Sequence, residues 1–419
     1  MRRPDWLQNF TIIREWIYRQ DWTHEVLRPI VERGVVSLLF AFLRLEKVHA
    51  GPQSRKISRL FPGLFLFMNL AIAQPSIVSN LHLGPTLRIH PDFPEVRPLS
   101  HVVELGILSP TSGKKIWHHR YRFPEIGLSL VYSSFGNPDV LGWGLSILPS
   151  FRGMISKKGP WSFHYVLASS FVYASKPFDR QTNSANNVIG ARINNLTHFG
   201  VEWMWQPQPT LAYILGVGGT HLSNAHVRIP NLGVNIPAIK IGIRYSPLAV
   251  EPTSPTDILP PEPGKMQLYP GFRLGYGFTS SKVPNGPLYP VYLASLSLNT
   301  FWRNKIRFKL GLEGFFNSSV ADFYRNHQAD WISLPSAAIG IAMYGGFEFA
   351  LGRFSLVGHL GPYLKRAELM DYFLYTKLGT QYYLFDQQNR DRRQLYLGIY
   401  VHSHSGEADF AEVGIGWLF

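Results

Sequence analysis

The chain has no cysteine in its 419 residues. That excludes a disulfide framework, cysteine-ligated zinc and a thiol nucleophile. Charge is scarce too, with Asp, Glu, Lys and Arg at 16%. A disordered chain needs more charge and less apolar content than the 45% found here. Mean hydropathy is near zero, which argues against a polytopic helical membrane protein. A membrane barrel escapes that objection, because its apolar residues alternate with polar ones and average out.

What the sequence does have is aromatic residues at 14%, with 37 Gly and 31 Pro. That mixture suits many strands broken by many turns. The net charge is +14. Residues 1–73 hold eleven Lys/Arg against six Asp/Glu, which is +5 and leaves +9 for the rest. A basic surface can serve anionic lipid headgroups or nucleic acid. The sequence offers neither a basic helix nor an RNP-like strand, so a lipid partner is expected and nucleic acid is not.

The run Arg55–Gln74 reads RKISRLFPGLFLFMNLAIAQ. Arg55, Lys56 and Arg59 precede an apolar stretch, Leu60 to Leu70, and Ala71-Ile72-Ala73 supplies small residues at the positions a signal peptidase reads. Residues 55–73 are therefore expected to be a signal peptide cut before Gln74. The run is short for a spanning helix and carries Pro62 and Asn69. Residues 1–54 are expected to be an unstructured or mis-assigned leader, with translation starting nearer residue 50. The remaining 74–419 form the mature part.

Beyond residue 80 the two-residue strand period dominates. Strands are expected to start near His82, His101, Phe123, Val140, Trp161, Gly190, Pro209 and Asn235. A second set starts near Gly264, Leu288, Lys305, Ala337, Phe354, Phe373, Arg392 and Ala408. This predicts an all-β fold, an up-and-down antiparallel outer-membrane barrel of roughly twelve to sixteen strands. Pro252–Pro263 is read as a loop rather than a domain linker, and no internal repeat stands out. At the C-terminus Ala411, Val413, Ile415, Trp417 and Phe419 share one face. A terminal Phe on such a strand resembles the signal read by the barrel-assembly machinery, so that machinery is an expected partner through Phe419.

The most informative stretch is Leu211–Tyr245. In LAYILGVGGTHLSN the odd positions are large and apolar until His221 and Ser223, and the even ones are smaller. Side chains at i and i+2 share a face. His221 and Ser223 thus continue a lipid-facing row, at the outer end of a strand rising from the periplasm. Asn235 heads the lipid-facing row of the next strand, and a hairpin would bring it to them. A Ser beside a His is the minimum for acyl transfer: the His takes the Ser proton and returns it to the leaving alkoxide. Asn224, Asn231 and the backbone at Gly233 are candidate donors to an oxyanion. His402, His404, Glu407 and Asp409 form a weaker, metal-like constellation, and Lys114-Lys115 with His118-His119-Arg120 a basic loop. No metal or cofactor is expected.

His221-Leu222-Ser223-Asn224-Ala225 followed by Pro230-Asn231-Leu232-Gly233-Val234-Asn235 resembles the signature of the lipid A 3-O-deacylase family, also called acyloxyacyl hydrolases. Glu125-Ile126-Gly127-Leu128, Thr182-Asn183, Asn186–Gly190, Gly406–Phe410 and Glu412–Gly416 look like pieces of its larger Bacteroidetes-type members. The resemblance implies a bacterial outer-membrane esterase that removes an ester-linked acyl chain from lipid A, with His221 as base and Ser223 as nucleophile. The family's best-known members carry a Glu fourteen residues after the His. Here that position is Asn235, which can orient an imidazole but brings no charge to it. The competing expectation is a non-catalytic barrel, either a pore or an inactive lipopolysaccharide-binding relative.

Overall fold

The computed structural model describes residues 75–247, 267–280, 284, 286–302, 306–327, 334–385, 394–404 and 407–419. The expected leader and signal peptide lie outside them. Among the described residues there are sixteen strands: β1 Ser76–Gly84, β2 Ser100–Pro110, β3 Glu125–Ser134, β4 Trp143–Lys158, β5 Trp161–Ala174, β6 Ile193–Gln208, β7 Leu211–Ser223 and β8 Val234–Tyr245 come first. Then follow β9 Tyr269–Ser280, β10 Leu288–Trp302, β11 Ile306–Asn317, β12 Ile339–Leu351, β13 Phe354–Lys365, β14 Leu374–Tyr383, β15 Gln394–His404 and β16 Glu407–Leu418. Each begins within a few residues of its expected start. No helix among the described residues is long and apolar enough to cross a membrane.

The strands close twice. β1 pairs with β8, with Ser79 opposite Ile243, and β9 pairs with β16, with Leu274 opposite Ile415. The result is two antiparallel barrels of eight strands each. A single large barrel was one way to place sixteen alternating strands; the structure instead repeats an eight-stranded unit, which the sequence did not reveal as a repeat. Pro252–Pro263, read as a loop within one barrel, is the connection between two. Its own structure lies outside the described residues.

Alternation decides which residues face lipid. On β7 and β8 the outward row includes Leu215, Val217, Ile239, Ile241 and Ile243, all exposed, as a hydrocarbon-facing wall requires. Aromatic side chains bound that wall at both ends. Trp161, Trp205 and Tyr213 stack in sequence near the tight turns, with centroids 5.8 and 5.6 Å apart. At the loop end Tyr132 stacks on Trp143, and Tyr173 lies tilted against Trp143. Such girdles sit where the hydrocarbon meets the headgroups.

Both interiors are filled with paired charge. In the first barrel Glu125 holds Arg152 at 3.0 Å and Arg244 at 2.6 Å. Glu202 holds Arg152 and, at 2.9 Å, Lys240; Glu104 lies 3.3 Å from His82. The second barrel is built alike. Glu313 and Glu412 share Lys377 at 2.7 Å each and also bind Arg273. Glu348 binds Arg307 and Lys309. Eight strands leave an interior just wide enough for side chains, and these fill it. The void beside His82, Glu104 and His198 measures about 10 Å³, room for no more than one water.

Longer connections lie at one end of the first barrel. There Phe93, Phe135, Leu141, Val188, Ile189 and Leu222 form a buried apolar cluster that caps it. Asn186 organises one of these loops. Its Oδ1 accepts from the Val188 and Ile189 N–H groups at 3.0 Å each, and its Nδ2 donates to the Lys176 carbonyl. A side-chain oxygen that accepts from N–H groups two and three residues on is turn chemistry.

Candidate active site

β7 brings His221 and Ser223 to its loop end on the outward row, and β8 begins opposite them. The cross-strand register places Thr197 and Asn235 on either side of His221, and Asn195 beside Ser223. His221 Nδ1 lies 2.7 Å from Asn235 Oδ1. An amide oxygen only accepts, so Nδ1 carries the proton and donates. That leaves Nε2 unprotonated and basic, on a ring that is only partly buried. No hydrogen bond joins Ser223 to His221, two residues apart on the same face of β7. Gly216, Gly218 and Gly219 continue the strand as β7 residues.

The connection 224–233 packs against this pair. Ala225 and His226 both have positive φ, +53° and +63°, conformations that cost energy in residues with a Cβ. Asn224 holds them in place. Its Oδ1 accepts from the Arg228 N–H at 3.2 Å and its Nδ2 donates to the Arg228 carbonyl at 2.8 Å. The Asn224 N–H donates to Asn231 Oδ1 at 2.9 Å. The Ser280 N–H at the end of β9 donates to the His226 carbonyl at 3.0 Å, so the second barrel grips the same connection.

Not every expected donor is free. The Asn224 amide is committed to the turn, and the Gly233 N–H donates to the Val188 carbonyl at 3.3 Å. Asn231 uses its Oδ1 and keeps its Nδ2. Gly233 matters through its shape. Its φ is +76°, and an added Cβ would lie 3.0 Å from the Leu222 carbonyl oxygen and 3.3 Å from His221 Cε1. The one acid on β5 to β8, Glu202, points inward to Arg152 and Lys240 and is unavailable to His221.

Three polar neighbours escaped the sequence reading: Ser169, Asn195 and Thr197. All lie on outward rows, linked to one another by hydrogen bonds of 2.8 to 3.1 Å. The signal was present in β6, where Ile193, Asn195, Thr197 and Phe199 form an apolar row with two polar members.

The metal-like constellation separates. His402 faces Glu313 and Glu412 inside the second barrel, at 3.1 and 3.3 Å, whereas His404 bonds Asp409 at 2.7 Å and stacks on Tyr372. Glu313, His402 and Glu412 have the spacing of a metal site. Lys377 and Arg273 already neutralise both carboxylates there. In the basic loop, burial holds the His118 imidazole down at about 4, with Lys115 and His119 pushing the same way.

The family model of lipid A 3-O-deacylase (PagL) matches residues 101–244, and that of the acyloxyacyl hydrolase C-terminal domain matches residues 266–419. The chain belongs to the lipid A 3-O-deacylase family. One match falls on each barrel, and the protein is an outer-membrane β-barrel. Among solved structures, the outer membrane enzyme PagL aligns at 14% identity and a TM-score of 0.26, over 39% of this chain and 97% of that one. OccK11 of Pseudomonas aeruginosa aligns at 11% identity and 0.20, over 82% and 94%. No curated protein matches the chain.

Proposed function

We propose that the protein removes an ester-linked acyl chain from lipid A, with Ser223 as nucleophile, His221 as general base and Asn235 as the group that orients the imidazole. The bond from His221 Nδ1 to Asn235 Oδ1 carries this reading. It fixes the tautomer in which Nε2 is free to take a proton, on the same strand face as a serine two residues away. The outward placement suits a substrate that stays in the membrane.

The chemistry follows from those positions. His221 Nε2 takes the Ser223 proton as Oγ attacks the ester carbonyl carbon. The tetrahedral oxyanion needs donors, and this mechanism assigns one to the Asn231 Nδ2, whose Oδ1 partner is already the Asn224 N–H. Collapse breaks the bond to the sugar oxygen, which leaves with the proton from Nε2. Water, deprotonated by His221, then attacks the acyl-serine; the acyl–Oγ bond breaks, His221 returns the proton to Ser223 Oγ and the fatty acid leaves. No metal or cofactor is required. During both steps the imidazolium is held by a neutral amide rather than a carboxylate.

Mass spectrometry of lipid A from cells expressing the wild type, Ser223→Ala and His221→Ala tests this. The expected result is loss of one acyl chain in the wild type alone. Fully acylated lipid A in all three strains, with the barrel folded in the membrane, would overturn it.

A further inference from the structure

Ser169, Asn195 and Thr197 form a polar island on the lipid-facing wall. It is not a rim at the water boundary, because apolar side chains lie on both sides. On β5, Phe171 and Tyr173 are farther out than Ser169, and Leu167 is deeper. On β6, Ile193 is farther out than Asn195 and Phe199 deeper than Thr197. Phe171 and Phe199 are 60% and 57% exposed to the surroundings. Tyr173 belongs to the outer aromatic girdle. Asn195 pairs with Phe171 and Thr197 with Ser169, two and four residues below Tyr173, or about 7 and 13 Å along the strand. Polar groups at that depth are costly unless they have partners.

The donors of the island are all spent. Thr197 donates to Asn195 Oδ1 at 2.8 Å. Its one proton being used, the 3.1 Å contact with Ser169 must be donated by Ser169. Asn195 Nδ2 donates to Ser169 Oγ at 3.0 Å and to the Ser170 carbonyl at 3.1 Å. The acceptors are not spent. Ser169 Oγ, Thr197 Oγ1 and Asn195 Oδ1 each accept one bond and have capacity for another. The surface beside the Ser–His pair is therefore an acceptor surface, and a hydrocarbon chain offers it nothing.

We infer that Ser169, Asn195 and Thr197 form a subsite that recognises a hydrogen-bond donor on the lipid substrate, a hydroxyl or an amide N–H, one strand spacing from the scissile ester. This deepens the deacylase reading and rests on Ser223 as nucleophile, since Asn195 is the direct cross-strand neighbour of Ser223. That spacing is about 5 Å. Two parts of an acylated amino sugar meet it: a hydroxyl on the acyl chain close to the carbonyl, or an amide N–H on the adjacent sugar carbon. A plain fatty ester has neither and leaves the acceptors unpaired in hydrocarbon.

The test uses the full-length protein in detergent micelles and three synthetic glycolipid esters. One carries a hydroxyl on the acyl chain, one an amide on the neighbouring sugar carbon, and one neither. The wild type should turn over at least one donor-bearing lipid with a kcat/KM about tenfold above the plain ester. Whichever lipid gains the preference identifies the donor. Ser169→Ala and Asn195→Leu should reduce the preference toward one. Heat-modifiable migration on gels checks that each variant is folded. No preference in the wild type, or an undiminished one in both variants, overturns the subsite. Should the wild type turn over none of the three, the deacylase reading fails separately. Native mass spectrometry of bound lipids then decides: retention of donor-bearing lipids by the wild type and its loss in Asn195→Leu supports the subsite, and equal retention of all three overturns it.

Discussion

His221 Nδ1 and Asn235 Oδ1 lie 2.7 Å apart on directly opposed residues of β7 and β8. The pairing sets the imidazole's tautomer without giving its cation a counter-charge. Asn235→Glu should raise kcat by about tenfold, since a charge-assisted hydrogen bond is roughly twice as strong as a neutral one. Asn235→Leu should lower kcat strongly with little change in KM. Steady-state kinetics on one ester substrate decides it, and equal rates for Asn235, Glu and Leu would mean the residue does not orient the base.

Gly233→Ala should damage the site through geometry. The backbone there is left-handed, and the added Cβ would press on the Leu222 carbonyl and the His221 ring. The backbone conformation alone costs about 1–2 kcal/mol in a residue with a Cβ. The variant should still form a barrel, seen as heat-modifiable migration, but should lose most of its deacylation.

The paired charges inside the second barrel predict an asymmetry. Glu313→Gln leaves Lys377, Arg273 and His402 facing one carboxylate, Glu412, in place of two. Breaking a buried pair from one side costs about 3–5 kcal/mol. Denaturant unfolding in detergent should show a lower midpoint. Glu407→Gln, at an exposed position, should leave it unchanged.

The side-chain-filled interiors predict a closed protein. In planar bilayers the purified chain should give no open-channel conductance of porin size. Stable, large currents abolished by unfolding would show that the interior groups move aside and would revive the pore reading.

N-terminal sequencing of protein from outer membranes should find Gln74 first. A mature chain that begins at Met1 would remove both the signal peptide at 55–73 and the idea of a late translation start.

The strands were legible because alternation is written locally. β7 shows it plainly, as Tyr213, Leu215 and Val217 face out while Ala212, Ile214 and Gly216 face in. Closure is not local. Whether β8 turns back to β1 or continues to β9 depends on pairs such as Ser79 with Ile243, and the alternation of each strand is the same either way. The placement of His221, Ser223 and Asn235 was legible for the same reason as the strands. The loss of Gly233 and Asn224 as free donors was not, since it depends on Val188 and Arg228 folding over from connections whose paths carry no period. The island on β5 and β6 went unnoticed because no single residue in it is unusual. It exists only through the register that sets Ser169 beside Thr197.

Two closures in one chain have a consequence for biogenesis. The last strand, β16, carries the terminal Phe419 and seals only the second barrel, against β9. The first is sealed by β8, an internal strand that ends at Tyr245 with 174 residues still to follow. Insertion must therefore finish one cylinder at a seam far from the chain's end. The strand bearing His221 and Ser223 and the strand that completes that seam are hairpin neighbours, so the first barrel's candidate site can form only as its wall shuts.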